Sequence, residues 1–135
     1  MFVYSTQISL HHTDAFGRLF FARQFDLVYE AKEKLFEQIG LSVPYMLAHK
    51  ELDFPLVHAE SDYKAVLFPG DKITIDVNVE KIGETSVIFS YLIKKADGTI
   101  AGTAQTVNVC VNKQTNQKAR VPDMWRDKLL SQVRL

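Results

Sequence analysis

The sequence predicts an α+β fold in which one antiparallel sheet packs on one long helix. Three observations carry that prediction. A single stretch, from about Phe21 to Ile39, has the apolar period of an amphipathic helix. Several stretches alternate apolar and polar residues at period two. Turn chemistry separates them at Phe68-Pro69-Gly70-Asp71, Gly83-Glu84 and Asp97-Gly98. With 135 residues, the chain fits one domain, 1–135.

Along the chain, Phe2, Tyr4, Ile8 and Leu10 alternate with Val3, Ser5, Gln7 and Ser9 as a strand, with Thr6 as one polar exception on the apolar side. A polar, irregular stretch, 11–18, follows. In the helix, Phe21, Phe25, Val28, Leu35, Phe36 and Ile39 fall in one stripe, and Gly40 suits its end. Lys32 lies inside that stripe, either snorkelling at the edge of the packing or touching an anionic ligand. A helical turn after Pro44 precedes an extended run from Phe54 to Val66. Ile73, Ile75, Val77 and Val79 mark the clearest half-buried strand, and Thr85–Lys95 and Thr99–Asn112 pair as a hairpin across Asp97-Gly98. Met124, Trp125, Leu129 and Leu130 share one side of a short terminal helix opened by Pro122. The order is one strand, one helix, then a four-stranded meander. One helix covers only part of such a sheet, so a homodimer is expected.

Sixteen Lys+Arg balance sixteen Asp+Glu, which argues against a general nucleic-acid binder. No window reaches the length of a membrane helix, and the start lacks a signal-peptide pattern. Cys110 is the only cysteine, which excludes an intrachain disulfide and reads as a small core residue. A cytoplasmic protein that meets neither membrane nor nucleic acid is expected. His11, His12, His49 and His58 show no metal-ligand spacing, so no metal is expected; His12 or His58 could orient a substrate or water.

The chemistry gathers at Thr13-Asp14-Ala15-Phe16-Gly17, just before the long helix. Gly17 permits a tight bend, and the amides near Phe21 are unpaired donors at a helix N-terminus. A carboxylate beside such donors is a minimal acyl-transfer constellation; capping a turn is the plainer role for Asp14. In a strand, His58, Glu60 and Asp62 share one face, either toward solvent or into a pocket. Lys113, Lys118 and Arg120, with Arg18 and Lys64 elsewhere, are surface charge or contacts for a phosphate-rich ligand. No nucleophile elbow, Walker loop or dinucleotide motif is present, which disfavours a serine hydrolase and a nucleotide-dependent enzyme.

From about residue 4 to about residue 122, the chain resembles the hotdog-fold acyl-CoA thioesterases of the 4-hydroxybenzoyl-CoA thioesterase family. The likeness rests on Asp14-x-x-Gly17 followed by an aromatic pair and the helix. Glu30-Ala31-Lys32-Glu33, the Tyr63 strand and Pro69-Gly70-Asp71 belong to it too. Leu19 to Phe25 and Pro55 to Tyr63 further resemble the 1,4-dihydroxy-2-naphthoyl-CoA hydrolases of menaquinone and phylloquinone synthesis. Arg18 departs, since a small apolar residue is commoner after the glycine. The resemblance implies a sheet wrapped around the helix, a homodimer or homotetramer with active sites between protomers, and hydrolysis of an aromatic acyl-CoA without a cofactor. Asp14 would be nucleophile or general base, and the Phe21 backbone amide would polarise the thioester carbonyl. Phe16, Phe20 and Phe21 cluster around the Asp14 loop and, with Gly17, could contact the acyl group, and His58 and Glu60 could reach ring hydroxyls if their strand face lines the pocket; Lys113 and Arg120 are the candidates for holding CoA phosphates. Two other readings remain: a hydratase or dehydratase of the same fold using His58 and Glu30, and a non-catalytic acyl-CoA-binding module.

Overall fold

The computed structural model describes residues 1–133. In chain order its elements are β1 (Phe2–Gln7), α1 (Arg23–Gln38), α2 (Val43–Ala48), β2 (Leu52–Asp53), β3 (Leu56–Tyr63), β4 (Lys72–Ile82), β5 (Ser86–Lys95), β6 (Ile100–Val109), β7 (Val111–Asn112) and α3 (Asp123–Leu130). The main sheet is antiparallel throughout, in the order β1-β4-β5-β6-β3, and β2 pairs with β7 in a two-stranded sheet.

The alternation in β4 and β5 sets the inner face. Ile75, Val77 and Val79 of β4, and Val87, Phe89 and Ile93 of β5, are fully buried with Leu27, Ala31 and Leu35 of α1. Each of these side chains except the small Ala31 contributes about 1.5–3 kcal/mol of burial. The sheet therefore wraps α1, as the resemblance implies. The meander has three strands rather than four, because β3 pairs with β6 and β4 pairs with β1. The segment from Lys64 to Asp71 carries the chain past the start of α1, where the Leu19 amide donates to the Leu67 carbonyl (2.9 Å). It reaches β1's side where the Ile8 amide donates to the Asp71 carbonyl (2.9 Å). That leaves β3 as an edge strand.

Three expectations need correction. The first strand stops at Gln7, because residues 10–12 turn as a 3₁₀ helix and leave Leu10 exposed. Helix α1 begins at Arg23, and its buried stripe is rotated to Gln24, Leu27, Val28, Ala31, Lys32, Leu35 and Phe36. The rotation follows from polar partners on the sheet, since Gln24 and Lys32 both find acceptors there, half-buried Ser61 and buried Asn108. In α3, Trp125 and Leu129 are buried while Met124 and Leu130 face solvent, and Pro122 caps the helix from outside.

Lys32 neither snorkels nor sits at the edge of the packing. It is 4% exposed, and its ammonium donates to Asn108 Oδ1 (2.9 Å). Asn108 Nδ2 in turn donates to the Phe54 carbonyl (2.8 Å). Desolvation brings the Lys32 pKa down to about 8. Between about pH 8 and the ordinary value of 10.5, the unfolded chain keeps the proton that the folded chain has released. Lys32 therefore adds stability as pH rises through that window. Urea melts of wild type and Lys32→Met from about pH 8 to about pH 10 should show the difference in unfolding free energy moving steadily in favour of wild type. A difference that does not change with pH would contradict a buried ammonium.

Candidate active site

Residues 13–19 form a tight hairpin before α1. Thr13 bridges Leu19, the Asp14 amide donates to the Arg18 carbonyl (2.9 Å), and the Gly17 amide donates to the Asp14 carbonyl (3.0 Å). Gly17 has φ +76°, a left-handed conformation that a side chain would strain. Asp14 Oδ1 accepts from the Phe16 amide (2.9 Å), so the carboxylate does cap its own turn. Its second oxygen has no protein donor among the described residues. The half-buried carboxylate thus has one oxygen fixed and one available.

The hairpin leads directly into a helix start that leaves donors open. The Phe20 amide donates to the His12 carbonyl (2.9 Å). Ala22 is the N-cap and has no side-chain acceptor to offer. Among the described residues the Phe21 and Ala22 amides have no hydrogen-bond acceptor. Their directions are set by the carbonyls of the same trans peptides. The Phe20 carbonyl accepts from the Arg23 amide (2.8 Å), which turns the Phe21 N–H outward. The Phe21 carbonyl accepts from Tyr63 Oη (2.6 Å) on β3, which orients the Ala22 N–H likewise. Burial raises the Tyr63 pKa, so the phenol remains the donor at neutral pH.

The first turn of α1 is fastened to β3 by Gln24, 1% exposed. Its amide donates to Ser61 Oγ (2.7 Å) and to the Asp62 carbonyl (3.1 Å), and Ser61 Oγ donates to the Thr103 carbonyl (2.8 Å). Gly102 makes room for this contact: a Cβ there would lie 2.6 Å from Gln24 Nε2 and 2.9 Å from the Asp62 carbonyl. Beneath the hairpin, the buried His12 accepts from the Ser9 amide at Nδ1 (2.9 Å). Burial, with His11 beside it, holds the His12 pKa below the ordinary value, so it is a neutral ring that supports the loop.

A cleft of about 360 Å³ opens beside this helix start, lined by Arg18, Phe21, Gln24, Tyr63 and Lys64 among others. The Phe20 and Phe21 rings pack at 4.8 Å, and Phe21 is 63% exposed. Phe16 is 86% exposed at the hairpin tip. His58 and Glu60 are elsewhere. Ser61 and Tyr63 reach α1, so alternation sends His58 and Glu60 to the outer face of the sheet. There they pair with each other at 3.4 Å, away from Asp14 within this chain. Among the described residues of this chain His58 pairs with Glu60 and makes no bond to Glu30 on α1, so one chain does not assemble the hydratase pair. Lys113 donates to the Leu47 and His49 carbonyls, and Arg120 pairs with Asp123 (3.3 Å); neither lines the cleft at Phe21. A larger concavity, about 520 Å³, lies around Asp76 and Ser90, where Asp76 is paired with Lys94 (2.8 Å) and the Ser90 hydroxyl donates to Glu80 Oε1 (2.6 Å).

Tyr63 and Gln24 were not legible as site residues, because their partners lie 42 and 37 residues away in the chain. The polar Gln24 within a buried helix face is the one local sign. Among the described residues, no cluster of His, Cys, Asp and Glu could hold a metal ion, and no helix is long and apolar enough to cross a membrane.

The geometry has counterparts in known proteins. Residues 8–129 match the family model of the thioesterase-like superfamily. A 1,4-dihydroxy-2-naphthoyl-CoA hydrolase from Gloeothece citriformis is 31% identical over 92% of this chain and 88% of its own length. One from Nostoc punctiforme is 30% identical over 90% of this chain and 82% of its own. The crystal structure of a 1,4-dihydroxy-2-naphthoyl-CoA thioesterase from Synechocystis superposes with a TM-score of 0.91 at 26% identity, covering 96% of this chain and 95% of that one. The wrapped sheet is therefore the hotdog fold. With the match running through the Asp14 hairpin, α1 and the four strands of the main sheet that follow it, β3 to β6, the chain belongs to the thioesterase-like superfamily.

Proposed function

We propose that this chain is a thioester hydrolase that converts an aromatic acyl-CoA, 1,4-dihydroxy-2-naphthoyl-CoA foremost, to the free acid and CoA. The observation that carries the reading is the open Phe21 amide at the start of α1, next to a hairpin whose Asp14 has a free carboxylate oxygen. The substrate's identity is supported by the two hydrolases at 30% identity or more and by the Synechocystis thioesterase.

The thioester carbonyl oxygen accepts from the Phe21 N–H, and the negative charge that develops there is stabilised by that amide and the helix N-terminus. Asp14 supplies the carboxylate. It takes the proton of an attacking water, or it adds to the carbonyl itself and gives a mixed anhydride that water then opens. Either route breaks the C–S bond, releases the thiolate of CoA and ends in the acid. Arg18 and Lys64, at the mouth of the Phe21 cleft, are better placed than Lys113 and Arg120 to meet the CoA phosphates. The exposed rings of Phe16, Phe20 and Phe21 offer flat apolar contacts to a bicyclic acyl group.

The functional unit is at least a homodimer. β3 is hydrogen-bonded on one side only and exposes Leu56, Val57 and Tyr63 along its length. Pairing two β3 edges would cover these residues and bring a second chain to the Phe21 cleft. The free Cys110 is buried, as suits a cytoplasmic enzyme.

Asp14→Asn should lower kcat on 1,4-dihydroxy-2-naphthoyl-CoA by at least about two orders of magnitude with an unchanged circular dichroism spectrum. A folded variant with near-native thiol release would overturn the assignment. Light scattering at micromolar concentration should return at least twice the chain mass; a fully active monomer would contradict the shared site.

A further inference from the structure

Beyond the Phe21 cleft, α1 carries a second feature that the hydrolysis step leaves unused. A cleft of about 230 Å³ lies between α1, α2 and the end of β2, with Tyr29, Phe36, Met46 and Phe54 on its walls and Lys32 and Asn108 among its lining residues. The Lys32 ammonium has three donors, and among the described residues only Asn108 Oδ1 accepts from it. Glu33, Asp53 and Lys113 line the same cleft, and none forms an ion pair with Lys32. The ammonium sits 4.7 Å from the centre of the Tyr29 ring and 5.8 Å from that of Phe89. A buried cation without a counter-charge, at an apolar cleft with an aromatic wall, is matched to a ring that carries an oxygen acceptor.

The helix geometry links this cleft to the reaction centre. Within α1, Phe25, Tyr29 and Lys32 fall within about 60° around the axis at about 100° per residue, and Phe21 lies about one turn before Phe25. The rise puts Lys32 roughly 16 Å beyond Phe21 along the axis, and its side chain leans back by about one turn. Roughly 11 Å is left between the Phe21 amide and the Lys32 ammonium. A bicyclic acyl group hydrogen-bonded at its carbonyl and at an oxygen across the ring spans roughly the same distance.

We propose that the flank of α1 from Phe21 to Lys32 carries the acyl ring, and that the Lys32 ammonium, held by Asn108, donates to an oxygen substituent on the ring remote from the thioester. Lys32 is then a specificity-determining residue. The proposal rests on the thioester-hydrolase reading, and it restricts that reading to aromatic acyl groups with a distal hydroxyl.

The test compares kcat/KM for 1,4-dihydroxy-2-naphthoyl-CoA with that for 1-hydroxy-2-naphthoyl-CoA, which lacks only the distal oxygen. Wild type should prefer the dihydroxy ester by at least about tenfold, as one charge-assisted hydrogen bond allows. Lys32→Met should bring the ratio to within about threefold, and Lys32→Arg should restore part of it. A wild-type ratio near one overturns the proposal whether or not the variants fold. So does a Lys32→Met protein that loses both activities in equal proportion, since that is the signature of a structural role. In both cases hydrolysis by wild type leaves the thioesterase reading standing. If wild type releases thiol from neither ester, that reading falls as well.

Discussion

The site depends on how the first turn of α1 is fastened to β3. An unfastened helix N-terminus offers amides that water satisfies in any direction. Here Gln24 binds Ser61 and the Asp62 carbonyl, and Tyr63 binds the Phe21 carbonyl. These bonds determine where two peptide planes point, and so where the free N–H groups of Phe21 and Ala22 point. An oxyanion site gains from such preorganisation because no dipole has to turn during the reaction. Gly102 belongs to the same device, since any side chain there would displace Gln24.

The same interior contains other polar cross-links between helix and sheet or within the sheet. Lys32 reaches Asn108, Asn108 reaches the Phe54 carbonyl, and Tyr91 Oη bonds Thr106 Oγ1 (2.7 Å). Leaving one of these groups unpaired would cost about 1–3 kcal/mol, so the Lys32 bond constrains the rotation of α1 and the others constrain the sheet and loop that receive it. An all-apolar helix face could slide or turn on the sheet with little penalty. Gln24 and Lys32 favour one arrangement, the one in which the Phe21 and Ala22 amides stay open just after the Asp14 hairpin.

Much of the architecture was legible in the sequence. The alternation from Ile73 to Val79 and the hairpin at Asp97-Gly98 reflect short-range rules and appear as β4, β5 and β6. The long helix was legible too, though its stripe was placed a little off, because Gln24 and Lys32 look misplaced until their sheet partners are known. Those partners lie 37 and 76 residues away, beyond any local pattern. His58 and Glu60 show the same limit. Period two correctly puts them on one face of β3, but which face meets α1 is decided by tertiary packing. Likewise nothing local distinguishes a β3 that pairs with β4 from one that pairs with β6.

On the proposed mechanism, the β3 anchor orients the helix start for catalysis. Tyr63→Phe tests it directly, because it removes one hydroxyl and leaves the ring in place. Steady-state kinetics on 1,4-dihydroxy-2-naphthoyl-CoA should show kcat reduced by about tenfold with KM little changed, in a protein that melts within a few degrees of wild type. A Tyr63→Phe enzyme with undiminished kcat would contradict the account, since the Phe21 peptide would then need no anchor.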